Sequence, residues 1–441
     1  MVYGEEFFDR GQITSLRKLQ DFQNRALSLI CNTRKSLPIA ARHMLCQIPP
    51  LEIRRNQNIL NLQNRLKYNQ ENPANKIYED NYSNVVHYNN RNKIKTTLCE
   101  KTKELIDNHN LQVYRVNKMP KPQEYWAIKH INVEQSLTEI IEKGQPKSFK
   151  LNTVMNHIHT KYPNHNHVYT DGAKNKHTGR TGIGFFDSTH NRHYKAQLDR
   201  HLHIDTVEVA AASYASKFIT SYYPNTNSLI ISDSLSTCRN LRKYNDSYSR
   251  VDLVEVIQKH SHNIHINKGT LTILWVPGHI NLYGHDIADL LAKEGTECNQ
   301  IHSINHSVQE LKNIIQSEYT NSALQTYWNE SSCGSFGRTI IPNFNTKINI
   351  DNFSNANSDS HLLIRLIFGT AEFHIPRNRI CANCQRHLSI EHVLLHCSLF
   401  NRTRENLKIN LQRINKEFNL RNILDPNCHT SARENRKKLI R

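Results

Sequence analysis

Nowhere in these 441 residues does an apolar run approach the ~18 needed to cross a bilayer, which excludes a spanning helix. Cysteine is sparse as well, at 10 residues, so a disulfide framework is not expected and closely spaced cysteines point to a metal in a reducing compartment. Met1 to Arg10 carries Glu5, Glu6 and Asp9, which is not the pattern of a secretory leader; an intracellular location, cytoplasm or nucleus, is the expectation. No internal repeat is present. Acidic residues are also in short supply: 39 Asp+Glu face 57 Lys+Arg, for a net charge of +18 and a pI near 9.4. Such an excess favours a polyanionic partner. The positive charge gathers around Arg54-Arg55, from Lys93 to Lys103, from Lys118 to Lys121, and in a tail with Arg433, Arg436, Lys437, Lys438 and Arg441. Solvated faces carry such runs too, so they imply only sequence-nonspecific attraction to nucleic-acid phosphate.

The length fits about three domains of ~150 residues each. Residues 1–145 read as helical. Leu16, Leu19, Phe22, Leu27 and Ile30 form a stripe at helical spacing, Pro49-Pro50 breaks it, and a second helix runs through Ile59, Leu60 and Leu62. Residues 69 to 162 are rich in Asn and Lys, with Gly144-Gln145-Pro146-Lys147 as a linker. An α/β region covers 163–298, and 307–441 is helical with a cysteine cluster.

Four acids in the α/β region stand in distinctive frames. Tyr169-Thr170-Asp171-Gly172 ends a β-rich run, and Thr181 to Phe186 follows as a second strand with His193 to Leu198 as a third. Glu208 opens an alanine-rich helix from Val207 to Tyr222. Asp233 follows the apolar run Ser228 to Ser232 at its carboxyl end, where open α/β sheets place their sites. A helix over Val251–His262 and a fifth strand over Leu271–Val276 lead to Pro277-Gly278-His279, and Asp289 sits in a last helix spanning Asp286–Glu297. Read singly, each acid has an ordinary role: Asp233-Ser234 can cap the next helix, and Asp289 with Lys293 is an i,i+4 ion pair. Together they suit a pair of Mg2+ ions ~3.5–4 Å apart, which need carboxylate oxygen and no sulfur or imidazole cage.

The order Asp, Glu, Asp, Asp, with a Gly-His loop before the last, resembles the type 1 ribonuclease H domain. The resemblance covers Pro163 to Cys298 and implies an α/β fold with a mixed five-stranded sheet flanked by helices. It implies that Asp171, Glu208, Asp233 and Asp289 bind Mg2+, for which Mn2+ can substitute. His279 would assist proton transfer and product release. The implied activity is hydrolysis of the RNA strand of RNA/DNA hybrids to a 3′-hydroxyl and a 5′-phosphate. One departure stands out: Gly284-His285-Asp286 occupies the place of the family's Gly-Asn-Glu. A binding remnant without turnover and a DNA-cutting integrase of the same fold are the competing readings, the Pro277-Gly278-His279 loop speaking against the second. Asp286, three residues before Asp289, competes for the metals; Asp289 is preferred, with Ile287, Leu290 and Leu291 expected to anchor the helix.

Cys381-Ala382-Asn383-Cys384 followed by His392 and Cys397 has the spacing of a tetrahedral Cys3His zinc site. His396 competes with Cys397 as the fourth ligand, and a disulfide or buried thiols are the other readings. With Glu391 and Arg402, the cluster resembles the zinc knuckle that closes the second open reading frame of non-LTR retrotransposons, here of the jockey-like type, and Leu363 to Gly369 is similar to their Arg-containing helix before the knuckle. Leu19, Gln23, Ala26 and Leu27, then Pro49-Pro50-Leu51, resemble the segment after the polymerase core of such elements. The polymerase motif Tyr-x-Asp-Asp is absent, since Tyr169-Thr170-Asp171 continues into Gly172.

Overall fold

A computed structural model describes residues 13–31, 37–74, 98–119, 131–242, 250–331, 335–346, 364–368 and 380–424. The Arg433 to Arg441 tail and much of the Lys93 to Lys103 run lie outside them. The chain divides into two compact units, one of Met1–Leu60 with Ile315–Arg441, the other of Asn61–Ile314.

Helices α1 (Ile13–Ile30), α2 (Ile39–Cys46) and α3 (Leu51–Tyr68) lead the chain. Sequence reasoning treats 1–145 and 307–441 as separate regions. In the structure, Leu37, Ala41 and Met44 share one hydrophobic core with Leu324, Trp328, Phe344, Leu394 and Leu407. Helical periodicity reports which face is apolar but not what covers it, so partners some 300 residues apart leave no local trace. The α1 stripe is only partly used: Leu27 is buried, while Leu19, Phe22 and Ile30 are 40%, 57% and 61% exposed.

The second unit contains α4 (Leu98–Asn108), α5 (Lys147–Lys161), α6 (Ile204–Tyr222), α7 (Leu235–Arg242), α8 (Val251–Ile266) and α9 (Tyr283–Gly295). Its strands are β1 (Asn132–Glu134), β2 (Asn166–Lys174), β3 (Thr181–Asp187), β4 (Arg192–Leu198), β5 (Asn227–Ser232), β6 (Thr270–Trp275) and β7 (Ile301–His302). They make one sheet in the order β1-β6-β5-β2-β3-β4-β7. Strands β2, β3 and β4 form an antiparallel meander, while β5 pairs in parallel with both β2 and β6. The five expected strands are therefore present, and the sheet has seven: β1 extends it beyond β6 and β7 beyond β4. Segments of two and three residues are too short to show period-two alternation, which is why they escape sequence reading.

Both faces of the sheet are covered, so the middle of β5, Leu229 to Ile231, is apolar and buried on both sides. Along β5, Ile230 points into a core with Val207, Ala211, Ala215 and Ile257 from α6 and α8, whereas Leu229 and Ile231 point into the opposite core with Val154, Ile158 and Ala288 from α5 and α9. The alternation is the pleat itself. Helix α9 lies directly on β3 because Gly182 and Gly184 leave room for it: a Cβ on Gly184 would fall 2.3 Å from the Ala292 nitrogen, and one on Gly182 2.4 Å from that of Thr296. Gly284, Ala288, Leu291, Ala292 and Gly295 form the buried side of α9, and Leu290, expected as an anchor, is 56% exposed. Small residues on both elements exchange side-chain volume for backbone proximity.

Candidate active site

Register places two of the four acids, Asp171 and Asp233, side by side. Thr170 of β2 pairs with Ser232 of β5, so Asp171 and Asp233, one residue further along parallel neighbours, leave the sheet at the same level. Strand β2 continues past this point opposite Gly184 of β3, which holds Asp171 in a regular strand, while β5 ends and releases Asp233 into the turn before α7. That turn is tightly held. The Trp275 Nε1–H donates to the Asp233 carbonyl at 3.1 Å, and the Thr237 N–H is capped by Ser234 Oγ at 3.3 Å. Ser234 therefore takes the capping role, and the Asp233 carboxylate faces the site. The loop after β6 closes over it: a Cβ on Gly278 would lie 2.5 Å from Asp233 Oδ2, so a larger residue there would turn the carboxylate aside.

Helix α6 begins at Ile204, a residue triplet earlier than expected, so Glu208 lies in its second turn rather than its first. From there Glu208 comes close enough to Asp171 for that acid to raise it, while the nearby Gly172 backbone N–H pulls both carboxyls the other way. Glu208 Oε2 is buried without a hydrogen-bond partner. Burial first, then the charge of Asp233, pushes Asp171 up to about 7, against the pull of His285. Burial likewise raises Glu208 well above the carboxylate range, with Asp171 and Asp233 adding to it. The same burial, with Asp233 and Glu208 nearby, pushes the Cys238 thiol up to about 12. Three crowded acids with an orphaned oxygen carry more negative charge than the one neighbouring imidazole, His285, offsets, and this donor set fits a hard divalent cation.

The remaining expected residues behave differently. Asp289, in the middle of α9, is half-buried, and Lys293 donates to its Oδ2 at 2.7 Å, so the helix-surface ion pair forms. Its charge still contributes to the shifts of Asp171 and His285. Asp286 is exposed. His279 is exposed on the loop after β6 with a left-handed backbone, φ 56°.

His285 escapes sequence reasoning as a site residue. It is 5% exposed in the first turn of α9, and its Nε2 lies 3.1 Å from Asp233 Oδ2. Burial works against a charged ring here, yet the hydrogen bond and charge of Asp233, with Asp171 and Asp289 beyond, raise it above the usual histidine range. One nitrogen of His285 and one oxygen each of Asp171 and Asp233 all fall within 4.8 Å of one another. The helix begins at Tyr283 behind Leu282, which offers no capping side chain, and the acidic Asp286 imitates a later start. Placing the start correctly puts His285 four residues before Asp289, on the same face.

A second cluster occupies the C-terminal part of the chain. Cys381, Cys384, His392 and Cys397 converge within 4.8 Å, with Cys397 Sγ 3.8 Å from the sulfur of both other cysteines. Hydrogen bonding to Ser398 lowers Cys384 to about 7, and His392 Nε2 is buried with no partner. His396 is exposed and lies outside the group. The arginine that braces this segment is Arg404, not Arg402: Arg404 is buried and donates to the carbonyls of Leu394 and Cys397 at 3.1 and 2.6 Å, whereas Arg402 is exposed. The spacing from the knuckle does not separate the two, since only the rotation of helix α10 (Asn401–Arg413) decides which faces inward.

The family model for RNase H matches residues 163–297. These residues are an RNase H domain, within a chain of which they make up less than half. A search of curated proteins finds no match.

Proposed function

We propose that residues 163–298 are a metal-dependent endonuclease that hydrolyses the RNA strand of RNA/DNA hybrids to a 3′-hydroxyl and a 5′-phosphate. The observation that carries this reading is the meeting of Asp171, Glu208 and Asp233 at the end of β2 and β5, with Asp171 and Glu208 held well above the carboxylate range. Mg2+ ions, when bound, would activate the attacking water and neutralise charge on the leaving oxygen. Asp171 and Asp233 would hold them, with Glu208 turning its unpartnered Oε2 toward the pair and Asp289 contributing after release from Lys293. His279, on the exposed loop beside Asp233, would pass protons and help product leave. The basic balance of the chain supports attraction to the hybrid backbone.

We assign the chain as a whole to a retroelement-derived protein of the jockey-like non-LTR type, found in cytoplasm or nucleus, with Cys381, Cys384, His392 and Cys397 binding zinc in a knuckle that contacts nucleic acid. The orphaned His392 nitrogen and the lowered Cys384 support the zinc assignment. A second reading, a nucleic-acid-binding remnant with weakened catalysis, draws on the pairing of Asp233 with His285 and of Asp289 with Lys293. Cleavage assays on hybrid, duplex DNA, duplex RNA and a fully 2′-deoxy version of the hybrid, in Mg2+ and in Mn2+, separate the two. The RNA strand of the hybrid alone should be cut, because the 2′-hydroxyl distinguishes it. Asp233→Asn should lower cleavage at least ~10³-fold, corresponding to several kcal/mol of lost transition-state stabilisation, with hybrid binding retained. Undiminished cleavage by that variant rejects the site, and no cleavage by the wild type in either ion favours the remnant.

A further inference from the structure

The proposed chemistry leaves one side chain of the pocket without a task. His285 is almost completely buried, its Nε2 is 3.1 Å from Asp233 Oδ2, and it shares a span of 4.8 Å with oxygens of both Asp171 and Asp233. Ligands that close together gather around one ion with bonds of ~2.0–2.2 Å after small side-chain rotations. The ring's other nitrogen, Nδ1, is buried with no hydrogen-bond partner, so Asp233 alone holds the ring's proton on Nε2, and an ion that takes over the Asp233 carboxylate frees Nε2 to present a lone pair with the proton on Nδ1. The fourth acid is engaged elsewhere: Asp289, on the same face of α9 one turn later, is held by Lys293 at 2.7 Å. Helix α9 thus offers the Asp171–Asp233 pair an imidazole more directly than a carboxylate.

We propose that His285 is a direct ligand of the ion held by Asp171 and Asp233, so that this domain has a mixed oxygen and nitrogen donor set and favours first-row transition ions over Mg2+. Mg2+ demands hard oxygen donors and loses water reluctantly, whereas imidazole nitrogen adds affinity along the transition series. The inference rests on the metal-dependent reading of the same site.

Pulsed electron paramagnetic resonance on the full-length chain tests it, with one equivalent of Zn2+ supplied beforehand to occupy the cysteine cluster and Mn2+ as the probe. Bound Mn2+ should show the nitrogen coupling of a coordinated imidazole, and His285→Asn should remove that coupling. Competition between the two ions should show the preference for Mn2+ over Mg2+ falling ~10-fold in the variant, the scale expected for a metal-site contact. Mn2+ that binds without nitrogen coupling, or coupling that survives in His285→Asn, overturns the assignment. So does tighter binding of both ions by the variant, which would identify His285 as a resident cation competing with the metal. The wild-type spectrum stands by itself if the variant folds poorly. Absence of any Mn2+ binding sensitive to Asp233→Asn would instead reject the metal-dependent reading itself.

Discussion

Replacing Asp171 by Asn should make the metal-free domain more stable while abolishing its cleavage. In the folded chain Asp171 rises from 3.8 to about 7, chiefly through burial and then through Asp233. A carboxyl whose folded pKa exceeds its unfolded one contributes stability that is fully present below the unfolded value and is lost as pH rises through the folded value. The window here runs from pH ~4 to ~7. Asp171 is 8% exposed, so solvent screens little of the effect. At ~1.4 kcal/mol per pKa unit, ionising Asp171 costs the fold roughly 4 kcal/mol by pH 8 and less than half of that at pH 5. Asn has the same shape and no charge to desolvate, so Asp171→Asn should recover most of that difference at pH 8 and much less at pH 5. Divalent ions should narrow the gap from the other side, since an ion at 100 times its Kd stabilises the wild type by ~2.7 kcal/mol. Because the chain has two compact units, a single unfolding energy is ill-defined. Hydrogen exchange of the β2, β3 and β5 amides, measured across urea at both pH values, reports this domain alone. An Asp171→Asn domain no more stable than wild type at pH 8 without divalent ions, or a gain that ignores pH, would refute the reasoning.

Two further outcomes follow from the placement of Asp289 and of the cysteine cluster. Asp289→Asn should lower turnover far more than Asp286→Asn, because Asp289 is half-buried beside the acid cluster and Asp286 points to solvent; raised Mg2+ should recover part of the loss, and a dead Asp286→Asn with an active Asp289→Asn would reverse the roles. Cys384→Ser should release one equivalent of zinc and loosen residues 381–404 without ending hybrid cleavage, as read by atomic spectroscopy and by amide exchange in α10; zinc-free wild type purified without chelator would reject the knuckle.

Much of the nuclease domain was legible because its signals are local. The apolar run ending in Ser232-Asp233, the alanine-rich helix around Glu208 and the glycines of β3 each state an element and a place on it, and the order of elements follows. The spacing of Cys381, Cys384, His392 and Cys397 reads likewise, since four metal-competent side chains in 17 residues leave few geometries. What stayed hidden depends on rotation and on distant partners. With α9 starting at Tyr283, His285 faces inward onto Asp233 and Asp286 faces outward, a rotation of ~100° between adjacent residues that propensity does not resolve. The rotation of α10 likewise buries Arg404 and exposes Arg402. The sharing of one core by Leu37, Ala41 and Met44 with Trp328 and Leu407 depends on chain segments that meet only in three dimensions. The sequence by itself determined which residue types can hold metal and on which elements they ride. Tertiary packing decided which of them face one another, because burial and neighbouring charge, which set the protonation of Asp171, Glu208 and His285, exist only once helices and sheet have closed around them.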